Sequence, residues 1–250
     1  MYKKLIILAL SFVLLSCVSL PVYQSIKESD YNNETIYSGY DSDSRLRWLV
    51  SNDSLNLYIR IDTDNPTTIK KVVNLGMKIQ IDTTARKKEG LFLNYPVFET
   101  SELSRKDKKQ IKTQVNNSNE RTIKLGLMLQ KTSSLVKFVK NDEIHIFNAY
   151  DKEADVIVKI NADDTGNMQY YAKIPFSLIS NIKPDVLSLG INIEGFDLDM
   201  QEKPRNNNSD NIFDNGQQRN GRHSRATSSF EQRPELAKDI DVWFKVNLIN

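Results

Sequence analysis

The residue types with most chemistry to offer in this 250-residue chain are its aromatics, its acids and its single cysteine. An aromatic face can carry a sugar, because the C–H groups of a pyranose pack on the π-system while polar side chains bond the hydroxyls. Trp48 alternates with Leu46 and Val50 and so belongs to an apolar face. Trp243 is followed by Phe244, and in an extended chain one of two such neighbours points away from the core. Tyr170-Tyr171 pose the same alternative. Trp243, Tyr170 and Tyr171 are therefore the candidate ligand-binding residues. Calcium asks for about six to eight oxygens, often from clustered acids and carbonyls. Asp62-Thr63-Asp64-Asn65, Asp151-Lys152-Glu153-Ala154-Asp155 and Asp197-Leu198-Asp199 are the acidic clusters, none with EF-hand spacing. Asp62, Asp64, Asp197 and Asp199 are the candidate residues for a structural calcium, and no other cofactor is expected.

Catalytic machinery is thin. The histidines are His145, between Ile144 and Ile146 on an expected strand, and His223, in a low-complexity stretch. No Gly-x-Ser-x-Gly elbow, phosphate-cradling glycine loop or HExxH motif occurs. A non-catalytic protein with no catalytic residues is the expectation. Lys and Arg number 34 against 32 Asp and Glu, and two of the bases, Lys3 and Lys4, fall in the first 16 residues. The remainder is balanced, which argues against a nucleic-acid partner held by a general basic field. One cysteine excludes a disulfide framework and a multi-thiolate metal site.

That cysteine carries an address. Lys3-Lys4 precede an apolar run of eleven residues, Leu5 to Leu15, too short at about 1.5 Å per residue for a hydrocarbon core of about 30 Å. The run ends in Leu14-Leu15-Ser16-Cys17, which resembles the bacterial lipoprotein box, where a diacylated cysteine becomes the new N-terminus. Residues 1–16 are expected to be a signal peptide and Cys17 the lipidated anchor to a membrane. The expected location is the bacterial outer membrane. Val18-Ser19-Leu20-Pro21 carries no acidic export tag, which favours the periplasmic face. Residues 17–35, polar and without sustained periodicity, read as a tether, and 36–250 as the folded domain.

The domain is read as strands. Leu46, Trp48, Val50 and then Leu55, Leu57, Ile59, Ile61 alternate on either side of Ser51-Asn52-Asp53-Ser54, the pattern of an antiparallel hairpin. Leu75, Met77, Ile79 and Ile81 repeat the alternation. Val156, Val158 and Ile160 lead through the turn Asp163-Asp164-Thr165-Gly166-Asn167 to a strand from Met168 to Ile174. Leu187, Leu189, Ile191 and Ile193 give another set, and 242–248 a last strand. Many short strands with one apolar face each predict an all-β fold, mainly an antiparallel β-sandwich. Residues 100–133 interrupt the pattern; Ile123, Leu127 and Met128 fit a helical stripe, so one or two helices are expected at an edge of the sandwich. Residues 199–236, rich in Asn, Gly, Ser, Arg and Gln, are expected to be a disordered loop.

These residues carry a family resemblance. Trp48-Leu49-Val50-Ser51-Asn52-Asp53, Leu57-Tyr58-Ile59, Leu75 to Asp82, the basic turn Arg86-Lys87-Lys88 and Tyr95-Pro96 resemble the start of a family 9-like carbohydrate-binding module, of the DOMON-like group. Asp163-Asp164-Thr165-Gly166, Tyr170-Tyr171, Ile174-Pro175-Phe176 and the Trp243 strand resemble its later part, in the lipoprotein form found in Bacteroidota. The chain departs from the group where a Tyr-Glu pair becomes Tyr170-Tyr171, and no pair of sugar-stacking tryptophans can be placed. The resemblance implies a β-sandwich that binds a glycan. The rival expectation is a structural lipoprotein that docks another envelope protein and binds no sugar. A haem pocket, as in other DOMON-like domains, lacks a His–Met pair here.

Overall fold

The computed structural model describes residues 19–32, 34–88, 90–98, 118–180, 182–196 and 234–249. Cys17, residues 100–117 of the expected insertion and 199–233 of the expected loop lie outside them. The chain is mainly β, with two largely antiparallel sheets packed face to face. Thirteen strands are described: β1 (Val22–Gln24), β2 (Ile26–Lys27), β3 (Gly39–Asp41), β4 (Leu46–Asn52), β5 (Asn56–Thr63), β6 (Met77–Asp82), β7 (Leu91–Tyr95), β8 (Leu135–Lys140), β9 (Glu143–Asn148), β10 (Ile157–Ala162), β11 (Met168–Pro175), β12 (Val186–Ile193) and β13 (Ile240–Asn247). Seven form one sheet in the order β1-β13-β12-β6-β7-β8-β9. The other six run β10-β11-β5-β4-β2, with β3 sharing the edge of β4.

The period-two residues do what their spacing requires. Leu57, Ile59 and Ile61 of β5, Leu46, Trp48 and Val50 of β4, and Tyr170, Ala172 and Ile174 of β11 turn inward from the six-stranded sheet. Met77, Ile79 and Ile81 of β6, Leu187, Leu189 and Ile191 of β12, and Phe244 and Val246 of β13 meet them from the seven-stranded one. Each fully buried Leu, Ile or Phe contributes about 1.5–3 kcal/mol. Leu55 stands outside this set, in the β4–β5 turn, and is exposed.

Several expectations are corrected. Residues 22–30 are part of the sandwich rather than of a tether. β1 pairs in parallel with β13, with Tyr23 opposite Val246, and β2 pairs in parallel with β4, with Ile26 opposite Ser51. These strands are only three and two residues long, too short to show alternation.

Leu75 ends a helix rather than starting a strand. Helix α1 (Pro66–Leu75) carries the chain from β5 to β6. Asn65 caps it, its side chain accepting from the Thr67 N–H, Pro66 occupies the first turn, and Gly76 at φ 86° ends it. Ile69, Val72 and Val73 enter the core from this helix.

Helix α2 (Ser118–Gln130) does stand at a sheet edge, against β10. Its buried stripe is Leu125 with Met128 and Leu129, whereas Ile123 and Leu127 face outward. The last short helix is α3 (Phe176–Ile179). Residues 234–236, at the end of the expected loop, form a 3-10 turn with Leu236 buried.

Candidate functional site

On β5 the outward positions are Asn56, Tyr58, Arg60 and Asp62, which alternation assigns to solvent. The chain instead folds its own segment 28–40 over this face. A 3-10 turn at Glu28–Asp30 follows β2 directly and sets the Glu28 carboxylate over the sheet. Arg60 grips it as a fork, Nη2 to Oε1 at 2.5 Å and Nη1 to Oε2 at 3.0 Å. Nη1 also donates to Ser51 Oγ at 2.7 Å, and that hydroxyl donates to Glu28 Oε2 at 2.5 Å. Tyr31 brings its ring to 3.7 Å from the guanidinium carbon. Tyr171 and Tyr58 flank it at 5.3 and 5.9 Å. The Arg60 side chain is left 11% exposed. A cation so placed is held by a two-point ion pair and by π-faces together.

Tyr58 extends the network. Its hydroxyl donates to Asp53 Oδ2 at 2.6 Å, and Oδ1 accepts the Leu55 and Asn56 N–H groups at 2.7 and 2.6 Å. Burial works to raise the Asp53 carboxyl, but these donors outweigh it and hold it down at about 2. Burial and the same carboxylate push the Tyr58 hydroxyl well up.

Beside this clamp lies an open groove of about 410 Å³, lined by Ile36, Tyr37, Ser38, Gly39, Tyr40 and Arg47. β3 supplies its wall, pairing Tyr40 with Arg47 and Gly39 with Trp48. Gly39 is required there, since a Cβ would fall 2.1 Å from the Trp48 indole. The Arg47 guanidinium carbon lies 5.6 Å from the Tyr37 ring, and Tyr40 is 57% exposed. Arg47 is half-buried and donates no hydrogen bond among the described residues. Beside it on the same face, opposite in register, Asp62 is buried. Burial raises the Asp62 carboxyl above its ordinary range, against the opposing influence of Tyr37 and Arg47. Burial and Asp62 push the Tyr37 hydroxyl strongly up.

The sequence-derived candidates divide. Tyr171 is brought to this face, next to Arg60. Tyr170 is corrected to the core, 1% exposed with its ring 6.4 Å from Tyr95. Trp243 does point away from the core, but it is 7% exposed and lies flat over Gly190, not open to a ligand. Its Nε1 donates to Asp241 at 2.8 Å, and the Lys87 ammonium sits 5.4 Å from its ring. Asp62 and Asp64 have different partners, the first beside Arg47 and the second paired with Arg45. No group of three or more His, Cys, Asp or Glu comes together among the described residues, and Asp197 and Asp199 lie outside them.

Glu28, Tyr31, Tyr37, Tyr40, Arg47 and Arg60 were not singled out from the sequence. The available signal was the run of tyrosines at 31, 37 and 40 in a segment otherwise polar. Comparison with family models, with curated proteins and with solved structures finds no match to this chain.

Proposed function

We propose that the chain is a non-catalytic, lipid-anchored binding domain of the family 9-like carbohydrate-binding type, and that its ligand is a glycan held in the groove of Tyr37, Tyr40 and Arg47. The observation that carries this reading is an exposed aromatic wall bordered by a guanidinium and a serine, on a face of the sandwich that the chain has otherwise covered. Ring faces and a few polar groups at the mouth of a concavity are what a sugar needs. The anchor is Cys17 at the periplasmic face of the bacterial outer membrane. Since β1 starts at Val22, four residues, Val18 to Pro21, connect lipid and sandwich. That leash spans at most about 17 Å. The domain therefore works at the bilayer surface.

The test is binding of residues 18–250, which contain both sheets complete, to a soluble glycan panel, followed by calorimetry. Saturable binding that Tyr40→Ala removes, without a change in the melting curve, supports the reading. No binding across plant, host and bacterial glycans overturns it.

A second reading, a structural lipoprotein that docks another envelope protein, draws on β9. Ile144 and Ile146 are well exposed on this terminal strand of the seven-stranded sheet. An apolar edge strand invites a further strand from a partner.

A further inference from the structure

Resting on that reading, we propose that the groove selects an anionic sugar, a pyranose ring bearing a carboxylate or sulfate group, with Arg47 as the specificity-determining residue. The lining of the groove holds one charged side chain, Arg47, and no acid. A groove for neutral sugars presents acceptors to the hydroxyls, most often carboxylates and amides. Here the polar groups are the Ser38 and tyrosine hydroxyls and a guanidinium, which has donors and no acceptor.

The contrast with Arg60 on the same sheet sharpens the point. Arg60 has its fork filled by Glu28 and a further Nη1 bond made to Ser51. Arg47 is paired directly with Tyr40 of the same covering segment, yet its guanidinium donates to none of the described residues and stays half-buried. Asp62 is its cross-strand neighbour on the same face and attracts it, but is itself buried and absent from the groove lining. A partly desolvated guanidinium with its fork unfilled is matched to a planar carboxylate or a sulfate oxygen pair. Tyr37 and Tyr40 then supply the ring faces, and a volume of about 410 Å³ lies within the range of small-ligand sites.

The experiment is calorimetry of residues 18–250 with three probes: an oligogalacturonate, the same oligosaccharide as its neutral methyl ester, and a sulfated galactan fragment that carries no carboxylate. The acid form is expected to bind about tenfold more tightly than the ester, the size of a charge-assisted hydrogen-bond pair. Arg47→Gln is expected to abolish that preference, so that the acid form binds no more tightly than the ester. Lys159→Gln, which alters an exposed cation on β10, is expected to keep it. Tighter binding of the sulfated fragment instead of the uronate assigns the anion as sulfate. Equal affinity for acid and ester overturns the anionic selectivity and leaves the glycan reading standing. Loss of the preference in Lys159→Gln overturns Arg47 as its source. Absence of binding to all three probes and to every neutral glycan overturns both.

Discussion

Trp48 stacks on Phe244 with ring centroids 4.8 Å apart and planes 15° from parallel, although the two side chains come from different sheets. Tyr23 closes the cluster edge-on, 5.8 Å from Trp48 and 5.6 Å from Phe244. Aromatic pairs of this kind add about 0.5–1.5 kcal/mol each beyond the area they bury. The first strand of the domain thus helps lock the two sheets together, and its removal is a loss of core.

A chain lacking residues 18–30 should therefore fail to fold as a cooperative unit. It loses β1, β2, Tyr23 and the Glu28 carboxylate at once. Far-UV circular dichroism through a thermal ramp checks this. A sharp transition at the temperature of the longer chain would return these residues to the status of a tether.

Glu28→Gln is expected to cost about 2–3 kcal/mol, because Arg60 keeps its burial and loses the charge that compensates it. Urea midpoints measure it. Arg60→Met, which removes the charge together with its need for a partner, should cost less when combined with Glu28→Gln than the two single losses added. Additive losses would mean that the pair is not coupled.

The strands were legible from alternation because each buries one face, as Leu57, Ile59 and Ile61 of β5 do. Helix α1 was legible in principle, through Asn65-Pro66 and the spacing of Ile69, Val72 and Val73, yet the alternation of Leu75 with Met77 competed for the same residues. Tyr170-Tyr171 divided between inside and outside as alternation requires. The candidate site was not legible. Whether Arg60 or Arg47 on an outward position meets water or another part of the chain depends on where segment 28–40 lies, and nothing local to either strand encodes that. Trp243 points outward as alternation allows, but alternation does not encode that Gly190, on the neighbouring strand, makes room for it to lie flat.

Gly190→Ala should disturb that arrangement. Its Cβ would sit 2.6 Å from the Trp243 indole, a distance at which the ring must move. A destabilisation of about 1–3 kcal/mol is expected, with a red-shifted tryptophan emission as the ring meets water. An unchanged spectrum and midpoint would show that the indole has room to slide.

Acid should weaken the β4–β5 turn late. Asp53 has its folded value held at about 2, below the ordinary 3.8. Its stabilisation is complete above pH 4 and is lost as the pH falls through the window from about 4 to about 2. Asp53→Asn should cost about 1 kcal/mol at neutral pH, and the gap to the unaltered chain should close across that window. A gap that stays constant down to pH 2 would place the stabilisation elsewhere.

The parallel pairing of β1 with β13 has a mechanical consequence. A load applied at Cys17 enters the sandwich along the axis of β1, whose Val22, Tyr23 and Gln24 lie in register with Lys245, Val246 and Asn247. Pulled that way the strand slides past its neighbour, so its hydrogen bonds are strained together and do not open one after another. Behind them stands the grip of Arg60 on Glu28. A sandwich pulled from the N-terminal side of β1 would resist as a bolt does, in shear, and would yield first at the seam between β1 and β13.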